Sequence, residues 1–186
     1  MVSKIITPSS IDASGTASSS TFLRGDGVWA VPSDNGKVLQ VVSTTKTDTF
    51  TTTSTSYTDI TGMSASITPS SASNKILVLV EINGGALDQA YIKLVRGATD
   101  IDVGTSVGSR TAGSGSDFYN IGVSGTIRNN HLSFLDSPST TSSTTYKIQG
   151  RIISATTFAI NRSTNDADNS NLSRTASNIT LMEIAG

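Results

Sequence analysis

The chain has 186 residues, a net charge of −1 and no cysteine, with 35% apolar and 15% charged residues. The lack of thiols excludes a disulfide framework and any thiolate metal site or nucleophile, and the scattered basic residues offer no electrostatic footprint for nucleic acid. No apolar run approaches the roughly 18 residues of a membrane span. The opening residues Met1-Val2-Ser3-Lys4-Ile5-Ile6-Thr7-Pro8 lack the apolar core of a signal peptide, so a cytoplasmic origin without membrane insertion is expected.

Ser and Thr make up roughly a third of the residues, and Val, Ile and Thr are plentiful. Low net charge with many β-branched residues marks a folded β protein rather than a disordered one. Residues 1–36 are poor in apolar groups, punctuated by Ser and Gly, and carry Pro8 and Pro32. They predict an extended arm that ends at the turn signal Asp34-Asn35-Gly36. Its few apolar side chains, Ile5, Ile6, Ile11, Phe22, Leu23 and Trp29, cannot form a core of their own and call for a second surface.

From Lys37 the pattern changes to strands. Val38 to Val42 is the first, Thr49 to Thr53 the second, and Tyr57 to Ile60 the third. Met63, Ala65 and Ile67 alternate with polar residues toward Pro69. Lys75 to Asn83 is apolar on both faces, with Ile76, Val78, Val80 and Ile82 on one side and Leu77 and Leu79 on the other. That pattern predicts a central, covered strand ended by Gly84-Gly85. Further strands are expected at Tyr91 to Val95, Ile101 to Val103, Phe118 to Val123, His131 to Leu135, Thr145 to Ile153, Phe158 to Asn161 and Ile179 to Ile184. A Gly/Ser-rich loop spans residues 104–116. Helical periodicity is nearly absent, and no fixed-period repeat is present. The expected architecture is all-β: a jelly-roll-like β-sandwich head over residues 37–186, preceded by the extended arm of residues 1–36.

Few residues suggest chemistry. His131 lies near Ser133 and Asp136, but a Ser-His-Asp triad is a spatial arrangement and no G-x-S-x-G phrase is present. The twelve Asp residues show no sequence pairing of the kind a glycosidase would need. Arg24-Gly25-Asp26 spells an integrin-binding tripeptide, but a three-residue match is weak and a turn in the surrounding phrase is the expected reading. The stretch Asn165-Asp166-Ala167-Asp168-Asn169-Ser170-Asn171 is dense in oxygen ligands, but Asn171 stands where an EF-hand loop needs Gly and Ser177 where it needs Glu. An Asx-rich turn accounts for the same residues. This loop, through Asn165, Asp166, Asp168, Asn169 and Asn171, is the expected polar tip for contact with a glycan or protein. Trp29, Tyr57, Tyr91, Tyr119 and Tyr146 can stack on sugars, but core or interface packing is the expected role of strand aromatics. Three N-x-[ST] sequons, at Asn161, Asn171 and Asn178, are expected to be incidental. No enzyme activity, metal or cofactor is expected.

The phrase Ser20-Thr21-Phe22-Leu23-Arg24-Gly25-Asp26-Gly27-Val28-Trp29, following a Ser/Gly/Ala run, resembles a connector found ahead of β-rich heads in bacteriophage tail-fibre and related virion-surface proteins. "GKVLQVV" at 36–42, "SITPSSASNKILV" at 66–78, "LDSPSTTSSTTYKIQ" at 135–149 and "NITLMEIAG" at 178–186 resemble phrases of phage structural proteins as well. The resemblance implies a virion location and a homotrimeric tail fibre or fibre head for host attachment. Its partners would be sister copies, other virion proteins of the tail, baseplate or capsid, and a host surface glycan or protein. A capsid decoration or head-fibre protein is the alternative it allows, and a polysaccharide depolymerase a third class. The arm's six apolar residues would then serve virion anchoring or trimer contact.

Overall fold

The computed structural model describes residues 13–33, 36–116, 118–119 and 124–186. The chain falls into two units, Met1–Asn35 and Gly36–Gly186. No helix among the described residues is long and apolar enough to cross a membrane.

In the first unit, β1 (Phe22–Leu23) pairs antiparallel with β2 (Trp29–Ala30). The tripeptide Arg24-Gly25-Asp26 forms the tip. Arg24 N donates to Val28 O at 2.8 Å, Gly27 N donates to Arg24 O at 3.0 Å, and Gly27 takes φ +79°, a value that favours glycine. Ser14 lies parallel to Val28, and a side chain at Gly15 would stand 2.7 Å from Trp29 O. The described part of this unit is therefore a hairpin with a third chain segment against it, not the extended arm expected. The turn chemistry of Gly25 and Gly27 is strong enough to fold the phrase back on itself.

The second unit holds β3 (Val38–Lys46), β4 (Phe50–Thr52), β5 (Thr58–Ile67), β6 (Lys75–Ala86), β7 (Ala90–Arg96), β8 (Thr99–Ile101), β9 (Gly115–Ser116), β10 (Arg128–Asp136), β11 (Thr144–Ile152), β12 (Phe158–Ile160) and β13 (Ser177–Ile184). Three pairs of these continue one another in line. β12 and β13 share one edge of β6, β3 and β4 lie beyond them, and β8 and β9 share one edge of β7. Counted in chain order, the resulting eight rows form two antiparallel sheets, ordered 1-8-3-6 (β3/β4, β12/β13, β6, β10) and 2-7-4-5 (β5, β11, β7, β8/β9). That order is a jelly roll, two interleaved Greek keys, so the expected fold class is what the chain adopts.

The core lies between the sheets. Ile76, Val78, Val80, Ile82, Ile179 and Leu181 face Ile60, Met63, Ile92, Leu94 and Ile148, all at most 3% exposed. Each such side chain contributes about 1.5–3 kcal/mol when removed from water. Phe158 fits over Gly150, where a methyl group would stand 2.8 Å from its ring, and it meets Phe118 at 4.9 Å between centroids.

Several boundaries differ from the sequence expectation. The strands at Tyr57 and Met63 are one strand, β5, continued through Gly62 at φ +84°. Gly84-Gly85 does not end β6. The glycines let Ala159 O approach to 2.4 Å from where a Cβ would sit at Gly84, so that β12 can pair there. β6 is central but not covered on both sides, because Leu77 and Leu79 are half-buried on the outer face. The strand expected after Val95 is Thr99–Ile101, set back because Gly97 turns the chain at φ +59°. Phe118 is buried and Tyr119 makes a single bridge to Ala86, while residues 120–123 lie outside the described residues.

The two ends of the head differ. Gly36, the loop of residues 68–74 and the turn of residues 137–143 gather at one end with Gly186. There Gly36 N donates to Ala185 O, and Gly186 N donates to Asn74 Oδ1. The segments 53–57, 87–89 and 153–157 lie at the other end, where Leu87 N donates to Thr157 O and Ile152 N to Ser54 O. The segments after β8 and after β12 leave their rows part-way along as excursions of residues 102–114 and 161–176.

Candidate functional site

The excursion of residues 161–176 carries the polar tip expected from the sequence. Its base is closed by Thr175 N donating to Asn161 O at 3.0 Å and by a bridge between Arg162 and Arg174. Asn165 N and Thr164 Oγ1 both donate to Ser124 O, at 2.9 and 3.0 Å, pinning the loop to the neighbouring segment. Asn165, Asp166, Asp168, Asn169 and Asn171 are all exposed, and the first four line a cavity of about 320 Å³ with Leu172 and Arg174. Their polar atoms are largely occupied. Asn165 Oδ1 accepts from Ala167 N and Asn169 Oδ1 from Asn171 N, while Asp166 pairs with Arg162 at 3.6 Å and with Arg174. The loop is thus an Asx-turn structure closed by an arginine–aspartate clamp. Among the described residues no group of three or more His, Asp or Glu is placed to share a cation.

The other sequence-derived residues do not converge. Phe22 and Leu23 are 47% and 38% exposed and Trp29 is half-buried, all in the hairpin unit, while Ile5, Ile6 and Ile11 lie outside the described residues. His131 and Ser133 stand on the outer face of β10. Asp136 points inward, 5% exposed, where it accepts from Arg96 Nη1 at 2.8 Å and from the Tyr146 hydroxyl at 2.6 Å. The three groups therefore occupy opposite faces of one strand and form no triad. Of the sequons, Asn161 is fully buried, Asn178 is half-buried and Asn171 is exposed. Arg24 pairs with Asp26 at 2.9 Å on the exposed hairpin tip.

A second concavity had no local signature in the sequence. The excursion of residues 102–114 leaves the β8/β9 row and forms one wall of a groove of about 410 Å³ on the outer face of the second sheet. Its floor is Tyr57, just before β5, with Lys93 of β7 and Arg151 of β11. Lys93 Nζ lies 4.4 Å from the centre of the Tyr57 ring and the Arg151 guanidinium carbon 5.8 Å. The Tyr57 hydroxyl donates to Ala112 O at 2.7 Å, tying the wall to the floor. Burial raises that hydroxyl above its ordinary pKa, and Arg151 acts against the rise. Lys93 is paired with Asp100 at 2.8 Å. Arg151 Nε is buried and has no hydrogen-bond partner among the described residues. Tyr57, Lys93 and Arg151 are 36 and 58 positions apart, so only strand register unites them. The one available signal was basic residues at outward positions of strands whose alternate residues are apolar.

No protein-family model matches the chain, and no curated protein matches it.

Proposed function

We propose that this chain is a bacteriophage virion-surface structural protein, a homotrimeric tail fibre or fibre head whose leading segment anchors it and whose jelly-roll head is displayed to the host. The observation that carries the reading is the polarity of the head: its link to the leading segment, at Gly36, lies at one end, and the segments around Ser54, Leu87 and Thr157 lie at the other. A rigid sandwich held at one end presents the opposite loops outward, where contact residues concentrate. The resemblance of the connector phrase and of the head segments supports the same assignment.

Self-association is supported by the outer face of the first sheet. Strand register sets Leu135, Leu77, Met182 and Val41 in one row across four strands, and Ile184 and Val38 lie beside it. Val38, Val41 and Leu135 are 53%, 55% and 48% exposed. A contiguous exposed apolar row of this kind marks a contact site on soluble proteins. The second sheet's outer face is instead polar and ion-paired, with Lys147 bound to Asp59 and Lys93 to Asp100 at 2.8 Å. A second copy is the occupant that fits, because the row carries no charge and a neighbouring subunit can cover it without leaving a charge unpaired.

The test is imaging of intact particles from a host producing the chain, together with a truncation lacking residues 1–36. The expected result is density for the head on the tail and a truncated protein that folds but is absent from particles. Truncated protein that still assembles would remove the anchoring role, and many copies on the shell would replace the fibre with a decoration protein.

A further inference from the structure

The groove beside Tyr57 is electropositive in a chain whose net charge is −1. Its lining holds Lys93, Arg110 and Arg151 against a single acid, Asp100, which Lys93 already engages. Neither Arg110 nor Arg151 has an ion-pair partner among the described residues, and Arg151 Nε is enclosed without an acceptor. Arg151 is half-buried and lines the groove, so an anion supplied from outside would meet its guanidinium and give it the ion-pair partner it lacks. The wall adds hydroxyls, Ser109 and Thr111, and the backbone of residues 108–112. The Tyr57 ring holds both cations in place through its π-face. The volume lies within the range of small-ligand sites.

We propose that this groove binds an acidic saccharide, a sugar bearing a carboxylate or a phosphate, with the Arg151 guanidinium as the partner of the anionic group and the wall hydroxyls as partners of the sugar hydroxyls. This names a ligand class for the displayed head and rests on that reading for its biological meaning. The physical claim stands on the purified chain alone. Nucleic acid is disfavoured because the groove gathers only three of the thirteen basic residues and the rest are scattered rather than tracking along a surface.

The experiment is calorimetric titration of the full chain with trigalacturonic acid, glucose 6-phosphate, neutral maltotriose, inorganic phosphate and oligo(dT), repeated with Arg151→Gln, Lys93→Gln and Lys147→Gln. Lys147 lies on the same outer face, outside the groove lining. At least one acidic sugar is expected to bind about tenfold or more tighter than maltotriose and phosphate, the difference made by one charge-assisted hydrogen bond. Arg151→Gln and Lys93→Gln should each lose about tenfold and Lys147→Gln less than about twofold, with unchanged thermal midpoints. Which acidic sugar binds decides between carboxylate and phosphate. The proposal is overturned if neither acidic sugar binds, if maltotriose or phosphate alone binds as well, if oligo(dT) binds as tightly, or if Lys147→Gln matches Arg151→Gln. A positive titration with no copy of the chain on the particle would leave the groove standing and remove the display reading. The reverse pair of results would do the opposite.

Discussion

The Ser177 hydroxyl donates to Asn161 Oδ1 at 2.6 Å, joining the first residue of the excursion of residues 161–176 to the first strand residue after it. The Asn161 amide in turn donates to Lys46 O at 2.8 Å and Asp48 O at 2.9 Å, spanning the gap between β3 and β4. Asn83 N donates to Ser177 Oγ at 3.0 Å. One fully buried asparagine, at φ +61°, thus closes two interrupted rows at the same point. Asn161→Ala would strand two carbonyls and a hydroxyl and keep a backbone strain that Asn tolerates better than Ala. The expected loss is about 2–4 kcal/mol in urea unfolding. A loss below about 1 kcal/mol would mean that water replaces the amide in full.

Glu183 sets an acid limit on the head. It is 1% exposed and accepts from Asn74 Nδ2 at 2.5 Å, Gln40 Nε2 at 2.5 Å, Ser70 N at 2.6 Å and Ser70 Oγ at 2.7 Å. Burial acts to raise its pKa, but the hydrogen bonds together outweigh that and bring it down to about 2. A carboxylate depressed in the folded state contributes stability that is complete above its ordinary value of 4.5 and is lost as pH falls from there toward 2. Urea midpoints measured at pH 6, 4 and 3 should therefore fall for the wild type, and fall less for Glu183→Gln, which is weaker at pH 6. Parallel pH profiles for the two proteins would remove Glu183 as the source.

How much of this was legible in the chain depends on range. The alternation in β6 is a local signal, and burial confirms the face it assigns to Ile76, Val78, Val80 and Ile82. Leu77 and Leu79 mislead because apolar character shows that a face avoids water, not that this subunit covers it. The in-line pairing of β12 with β13 has no local trace, since 16 residues intervene and Asn161 and Ser177 meet only through tertiary closure. The Asn/Asp-rich tip was visible as composition, but the clamp of Asp166 by Arg162 and Arg174 was not. The groove at Tyr57 was invisible because three strands and one excursion contribute to it.

The Arg96–Asp136–Tyr146 cluster is predicted to show graded losses. Tyr146 is fully buried, and its hydroxyl is held well above its ordinary pKa by burial first and by its bond to the Asp136 carboxylate second. Tyr146→Phe removes one donor while Arg96 still neutralises Asp136, for an expected cost of about 1–3 kcal/mol. Asp136→Ala leaves both Arg96 and the Tyr146 hydroxyl without their acceptor, and about 3–5 kcal/mol is expected. Urea unfolding of both variants checks the order. An Asp136→Ala protein as stable as Tyr146→Phe would show that Arg96 finds solvent at no cost.

The apolar row across the first sheet offers a test of assembly that does not depend on any ligand. Val41 is 55% exposed on the edge strand β3, opposite Met182 in register, so a charge there meets water in the isolated head and disturbs no core contact. Val41→Glu should change head stability by less than about 0.5 kcal/mol, as surface substitutions do. In an assembly that buries this row it would place an unpaired carboxylate against a neighbouring subunit, at a cost of several kcal/mol. Light scattering is expected to show an oligomer for the wild type and the 19.2 kDa single subunit for Val41→Glu, at unchanged thermal midpoint. Thr61→Glu on β5, exposed on the polar sheet, should leave the oligomer intact. If Val41→Glu assembles as the wild type does, the copies meet elsewhere, and the leading segment with Phe22, Leu23 and Trp29 becomes the surface to alter next.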